Sequence, residues 1–185
     1  MAARPDYPSL TVEDFLAINF GEHKAELENG TIRMMAGAKA RHNRVVSNII
    51  LALGRRLEGS GCSAYGPDMG VQTRERTLRY PDVTVFCGHD EEVDDDARLF
   101  DDPRVIFEVL SGGTSRTDLK EKLPEYQALP SVDTVVFVDV AVERLRVVQR
   151  TGPDDWSDRF AVESEDLALP SLSISIPLQE IFRRR

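Results

Sequence analysis

The sequence predicts an α/β fold, on two observations. Residues 82–87 (Asp82-Val83-Thr84-Val85-Phe86-Cys87) and 104–110 (Arg104-Val105-Ile106-Phe107-Glu108-Val109-Leu110) are runs rich in Val, Ile and Phe. Such runs read as central strands buried on both faces. Residues 41–57 place Val45, Val46, Ile49, Ile50, Leu53 and Leu57 at three- and four-residue spacing, the pattern of an amphipathic helix. The chain has 185 residues, 41% of them hydrophobic and 30% charged. That composition suits one folded domain over 1–185 with a sizeable core.

The elements follow in order. Thr11-Val12-Glu13-Asp14 has the form of a capping box and opens a short helix over 11–19. Glu26-Leu27-Glu28 runs into Asn29-Gly30, a strong hairpin signal, and out through 31–35. The 41–57 helix has a basic outer face of Arg41, Arg44, Arg55 and Arg56. It also carries His42, which reads either as a cap or core residue or as part of a site. Strands over 62–65 and 69–73 flank a Gly66-Pro67-Asp68 turn. After the central pair, Ser111-Gly112-Gly113-Thr114 leads to a helix over 118–129 bearing Asp118, Lys122 and Tyr126, stopped by Pro130. Residues 132–140 form a further apolar strand, and 144–150 alternate as a half-exposed strand does. Weaker strands over 156–162 and 172–176 and a short helix over 177–182 complete the chain.

Charge and composition narrow the partners. The net charge of −9 argues against a broad nucleic-acid surface. The charge is uneven, however: residues 89–102 hold eight acids against Arg98, and the rest is close to neutral. No apolar run approaches the roughly 18 residues of a membrane span, and the N-terminus lacks the apolar stretch of a signal peptide. A cytoplasmic protein with no membrane partner is expected. Cys62 and Cys87 have no metal-type spacing, and a reduced pair is the expectation in that compartment.

Chemistry concentrates in residues 80–126. Asp82 and Glu108 each stand in an apolar strand, where a lone carboxylate costs several kcal/mol or neutralises itself. Two of them on neighbouring strands call for a cation, and hard carboxylate oxygens suit Mg²⁺ or Mn²⁺. If the strands form a hairpin, both acids share one end, and the acidic loop lies about 20 Å away at the other. Lys122, on the following helix, is the candidate ammonium for charge developing at a phosphate; Lys120 is the second choice. Plainer readings stand beside these. Asp82 also fits a turn after Pro81, Asp118 and Lys122 an i, i+4 surface pair, and Glu26 a solvent-facing hairpin position.

The ordered set Pro81-Asp82, Glu108-Val109-Leu110-Ser111, Thr114, Asp118, Lys122 and Tyr126 resembles the Uma2 (DUF820) family. That family belongs to the PD-(D/E)XK restriction-endonuclease-like superfamily. The likeness extends to residues 26–30, 42–46 and 135–139 and covers about residues 10–150. It implies a restriction-endonuclease-like mixed β-sheet flanked by α-helices and a Mg²⁺- or Mn²⁺-dependent endonuclease acting on DNA. Asp82 and Glu108 would match the metal-binding acids, Lys122 the catalytic lysine, and Glu26 the acid on an earlier element. Leu110 stands where the superfamily has its usual lysine, Gly112-Gly113 where the pattern has Pro-Ser, and Pro124 falls near the start of the lysine helix, where a first turn tolerates it and a deeper position kinks the helix. An enzyme that cuts both strands needs two sites, which a homodimer would supply. Two other readings remain: a nuclease fold kept as a weakly active or inactive binding or regulatory module, and a hydrolase of small phosphate esters.

Overall fold

The structure, a computed structural model, describes residues 9–89, 94–110, 115–161 and 165–184. The Ser111-Gly112-Gly113-Thr114 turn, the side chain of Asp118, part of the acidic loop (90–93) and Val162 lie outside the described residues.

The chain runs α1 (Val12–Ala17), β1 (Ala25–Glu28), β2 (Thr31–Met34), α2 (Ala40–Leu57), β3 (Cys62–Tyr65), β4 (Gly70–Arg74), β5 (Thr77–Arg79) and β6 (Val83–Cys87). It continues through β7 (Leu99–Phe100), β8 (Val105–Leu110), α3 (Ser115–Gln127), β9 (Thr134–Asp139), β10 (Arg144–Arg150), β11 (Trp156–Ala161), β12 (Asp166–Leu169), β13 (Ile174–Pro177) and α4 (Leu178–Phe182). Among the described residues the strands form three sheets. These are a six-stranded sheet ordered β11-β10-β9-β8-β6-β3, a five-stranded sheet ordered β2-β1-β5-β4-β7, and the pair β12-β13. β8 and β9 run parallel, as do β4 and β7, and the other pairs are antiparallel, so the sheets are mixed.

Both faces of the six-stranded sheet are covered. On one, Val45, Ile49, Leu53 and Leu57 of α2 pack on Val83, Val85, Phe107, Val136 and Val138. On the other, Tyr126, Leu119 and Leu123 of α3 meet Ile106, Val135, Phe137 and Val148. Phe107 and Ile106, neighbours in sequence, therefore serve opposite cores, as strand alternation requires. Each such residue contributes about 1.5–3 kcal/mol through burial. The end of α3 is fixed by Arg150, whose guanidinium donates to the carbonyls of Gln127, Leu129 and Val132. Its ring neighbour is Trp156, 4.4 Å away.

Several expectations are met closely. Thr11 and Asp14 close the capping box reciprocally. Asn29 and Gly30 take φ of 47° and 76°, the positive values a two-residue type I′ hairpin needs. Other boundaries shift. β5, β7 and β12 are short strands that the sequence pattern does not announce. The lysine helix begins at Ser115 rather than 118, which puts Pro124 well inside it. There the ring removes one intrahelical hydrogen bond.

Cys62 and Cys87 overturn an expectation. They stand opposite each other on the antiparallel pair β3–β6 and form a disulfide instead of a reduced pair. Sequence separation of 25 residues hid the register that brings them together. In the oxidised protein, Cys62→Ser is expected to lower stability by about 2–4 kcal/mol, from loop closure in the unfolded chain. Urea unfolding of both forms checks this. No difference would mean that the bridge is absent in solution.

At that same end of β6, His89 stacks on Phe100 with ring centroids 3.9 Å apart and bonds to Asp102 at 2.8 Å, with Asp94 at 3.4 Å. Burial opposes its charged form, but Asp102 and then Asp94 outweigh burial and raise its pKa above 6.5. The group is raised on folding, so its contribution is full below the unfolded value and is lost as pH rises through the folded one. Thermal unfolding should therefore show wild type gaining over His89→Gln at pH 5.5 and not at pH 8.5. An equal difference at both values would remove the ion-pair account. Among the described residues, no helix is long and apolar enough to cross a membrane.

Candidate active site

The antiparallel register Val83↔Phe107 sets the geometry. One step further, Asp82 comes to face Glu108. Asp82 Oδ2 accepts the Val109 backbone N–H at 2.7 Å, across the strand pair. Its other oxygen meets His42 Nε2 at 2.8 Å. His42 thus reaches from the first turn of α2 around the strand end. The Asp82 hydrogen bond, opposed by burial, raises the His42 pKa, and its Nδ1 is buried without a hydrogen-bond partner among the described residues.

Glu108 points to the α3 side. Its Oε1 accepts from the Tyr126 hydroxyl at 2.6 Å and from Lys122 Nζ at 3.3 Å. Lys122 also donates to Glu26 Oε1 at 3.0 Å. The ammonium therefore bridges the strand β8 carboxylate and the β1 carboxylate. Burial opposes its charge, but Glu108 and Glu26 hold it above the usual lysine range. Burial pushes the Glu108 carboxyl up to about 7; Lys122 opposes that rise, while Asp82 and Glu26 add to it. Tyr126 is fully buried and its hydroxyl is held well above its ordinary pKa, by burial first and by Glu108 next.

All four predicted residues thus converge. Asp82, Glu108, Lys122 and Glu26 come from β6's leading end, β8, α3 and β1. Lys120, the second-choice lysine, is exposed. Sequence reasoning left His42 open and missed the side chains of Arg79 and Glu125. Arg79 is 4% exposed and donates to Glu26 at 3.2 Å and to both oxygens of Glu125 at 2.9 and 3.0 Å. The Tyr80 backbone N–H adds a bond to Glu26 at 3.1 Å. The available signals were an arginine just ahead of Pro81-Asp82 and a glutamate on the lysine's own helix.

Two carboxylates on adjacent strands are hard oxygen donors, and Mg²⁺ is commonly held by one or two of them with waters and substrate phosphate completing the shell. Asp82 and Glu108 fit that description: among the described residues no hydrogen bond reaches Glu108 Oε2. No group of three or more His, Cys, Asp or Glu forms a full protein cage among the described residues.

A mixed sheet flanked by helices, with acids at the ends of two neighbouring strands, is a restriction-endonuclease-like architecture. The chain belongs to the Uma2 family, described as “Putative restriction endonuclease”, which it matches over residues 12–179. A solved structure from Anabaena variabilis, described as “a putative nuclease belonging to DUF820”, shares the fold with a TM-score of 0.75. It is 16% identical, covering 94% of this chain and 97% of that one. The chain is also 28% identical over 134 residues to “Uncharacterized protein sll1609” of Synechocystis sp., across 72% of this chain and 76% of that protein.

Proposed function

We propose that the protein is a Mg²⁺- or Mn²⁺-dependent endonuclease that hydrolyses phosphodiester bonds in DNA. The observation that carries this reading is the Lys122 ammonium lying 3.0 Å from Glu26 and 3.3 Å from Glu108, the carboxylate that faces Asp82 across the β6–β8 pair. Asp82 and Glu108 would hold the cation. When bound, such an ion activates a water and neutralises charge developing at the phosphate. Lys122 aims an N–H donor at the same charge or orients the attacking water. Glu26, anchored by Arg79 and Tyr80 N, fixes where Lys122 points. His42, bonded to Asp82 Oδ1, keeps that carboxylate turned toward the strand ends. Cutting both strands would take two copies of the chain, a homodimer.

A second reading, a nuclease fold retained for binding or regulation, is favoured by one observation. Every carboxylate of the cluster already has a protein partner. Plasmid cleavage with Mg²⁺ or Mn²⁺ decides between them. Nicking by wild type and none by Glu108→Ala supports the nuclease. No cleavage by wild type with either metal, alongside retained DNA binding, supports the binding module.

A further inference from the structure

The carboxylate end of the six-stranded sheet carries a second polar feature. Asp139 ends β9 opposite Leu110, two residues past Glu108. The turn over 140–143 therefore lies at the same end as the acids. The first turn of α2 lies there too, through the His42–Asp82 contact. A hollow of about 670 Å³ opens beside them, lined by Arg41, Arg144 and Arg184 with Asp139 and Glu143.

Its two acids are not equivalent. Asp139 is used by its own turn, accepting the Ala141 and Val142 backbone N–H groups at 2.9 and 3.4 Å. Glu143 Oε1 accepts from both Arg184 at 2.8 Å and Arg41 at 3.4 Å. One carboxylate oxygen thus faces two guanidiniums, whose ten N–H donors in all far exceed it. The side chains of Arg41, Arg184 and Glu143 are 41%, 70% and 34% exposed, so a ligand can reach them. Glu143 also sits at φ 51°, a left-handed conformation uncommon for residues other than glycine. Arg44 follows Arg41 by three residues, on the same side of α2, and its Nε is buried with no hydrogen-bond partner among the described residues.

We propose that this hollow is a backbone-phosphate subsite for the DNA strand at the catalytic cluster, gripped by Arg41 and Arg184. It rests on the reading of the cluster as a DNA nuclease. Guanidiniums match phosphate oxygens in paired, charge-assisted bonds. Glu143 holds the two arginines in place when no strand is present and yields them to the phosphate. In a chain of net charge −9, this gives the strand a local cationic foothold next to the acids.

The test is fluorescence anisotropy of a labelled duplex with the full chain in EDTA, over a salt series. Arg41→Ala/Arg184→Ala should weaken binding on the order of tenfold and flatten the log–log salt slope by about two. Glu143→Gln should tighten binding roughly two- to fivefold by removing a repelling charge, a gain that a misfolded chain cannot give. Unchanged affinity and slope in the double variant, or weaker binding by Glu143→Gln, overturns the subsite. A 5′-mononucleotide losing affinity by the same factor as the duplex would assign the hollow to small phosphate esters and also overturns it. If wild type cuts plasmid while the double variant binds DNA normally, the subsite fails and the nuclease reading stands. If the variants behave as stated but wild type never cuts, the reverse holds. Wild type with no measurable DNA affinity sinks both.

Discussion

Lys122→Ala is expected to reduce plasmid cleavage about 10²- to 10³-fold, the usual loss when one preorganised donor to a transition state is removed. The ammonium touches two carboxylates from different elements, so nothing nearby replaces it: among the described residues, Arg79 is the other cation on Glu26 and is turned toward Glu125. The substitution leaves Glu26 and Glu108 facing each other in a buried setting. Glu108 would then hold its proton more firmly, since Lys122 is the chief influence keeping its pKa down. Initial rates of supercoiled-plasmid nicking, with circular dichroism to confirm folding, measure the effect. A folded Lys122→Ala protein that cuts as fast as wild type removes the lysine from the chemistry.

The second large effect concerns stability. Arg79→Leu should destabilise the protein by about 3–5 kcal/mol, because it strands carboxylates that are out of water. Arg79, Glu26 and Glu125 side chains are 4%, 8% and 4% exposed. Thr73 supplies Glu125 with one further bond, at 3.3 Å, too little to compensate. Urea unfolding gives the loss. A double-mutant cycle with Glu125→Gln should show coupling of about 0.5–3 kcal/mol. Additive losses would mean that the two residues act separately.

The candidate site was legible in the sequence because its acids break apolar runs. Glu108 sits between Phe107 and Val109, where a carboxylate needs a reason to be. The lysine followed from the helix after that strand and from the family resemblance. What stayed hidden depends on register and docking between distant segments. Arg79 meets Glu125 across 46 residues and Glu26 across 53, and no local spacing encodes those meetings. The Cys62–Cys87 bridge is hidden for the same reason. Short strands such as β7 have too few residues for alternation to register. His42 was ambiguous because a helix periodicity cannot say what lies beyond its first turn.

The parallel pairing of β8 with β9 has one more consequence. Parallel neighbours cannot be joined by a tight turn, so the chain between them crosses the sheet face on which Glu108 lies, carrying α3 with it. The groups that meet there span 40, 54 and 96 residues of sequence. Contacts of that range form only after much of the chain has condensed. A nascent or half-unfolded copy consequently carries Glu26, Asp82, Glu108 and Lys122 without the cluster they form in the folded chain.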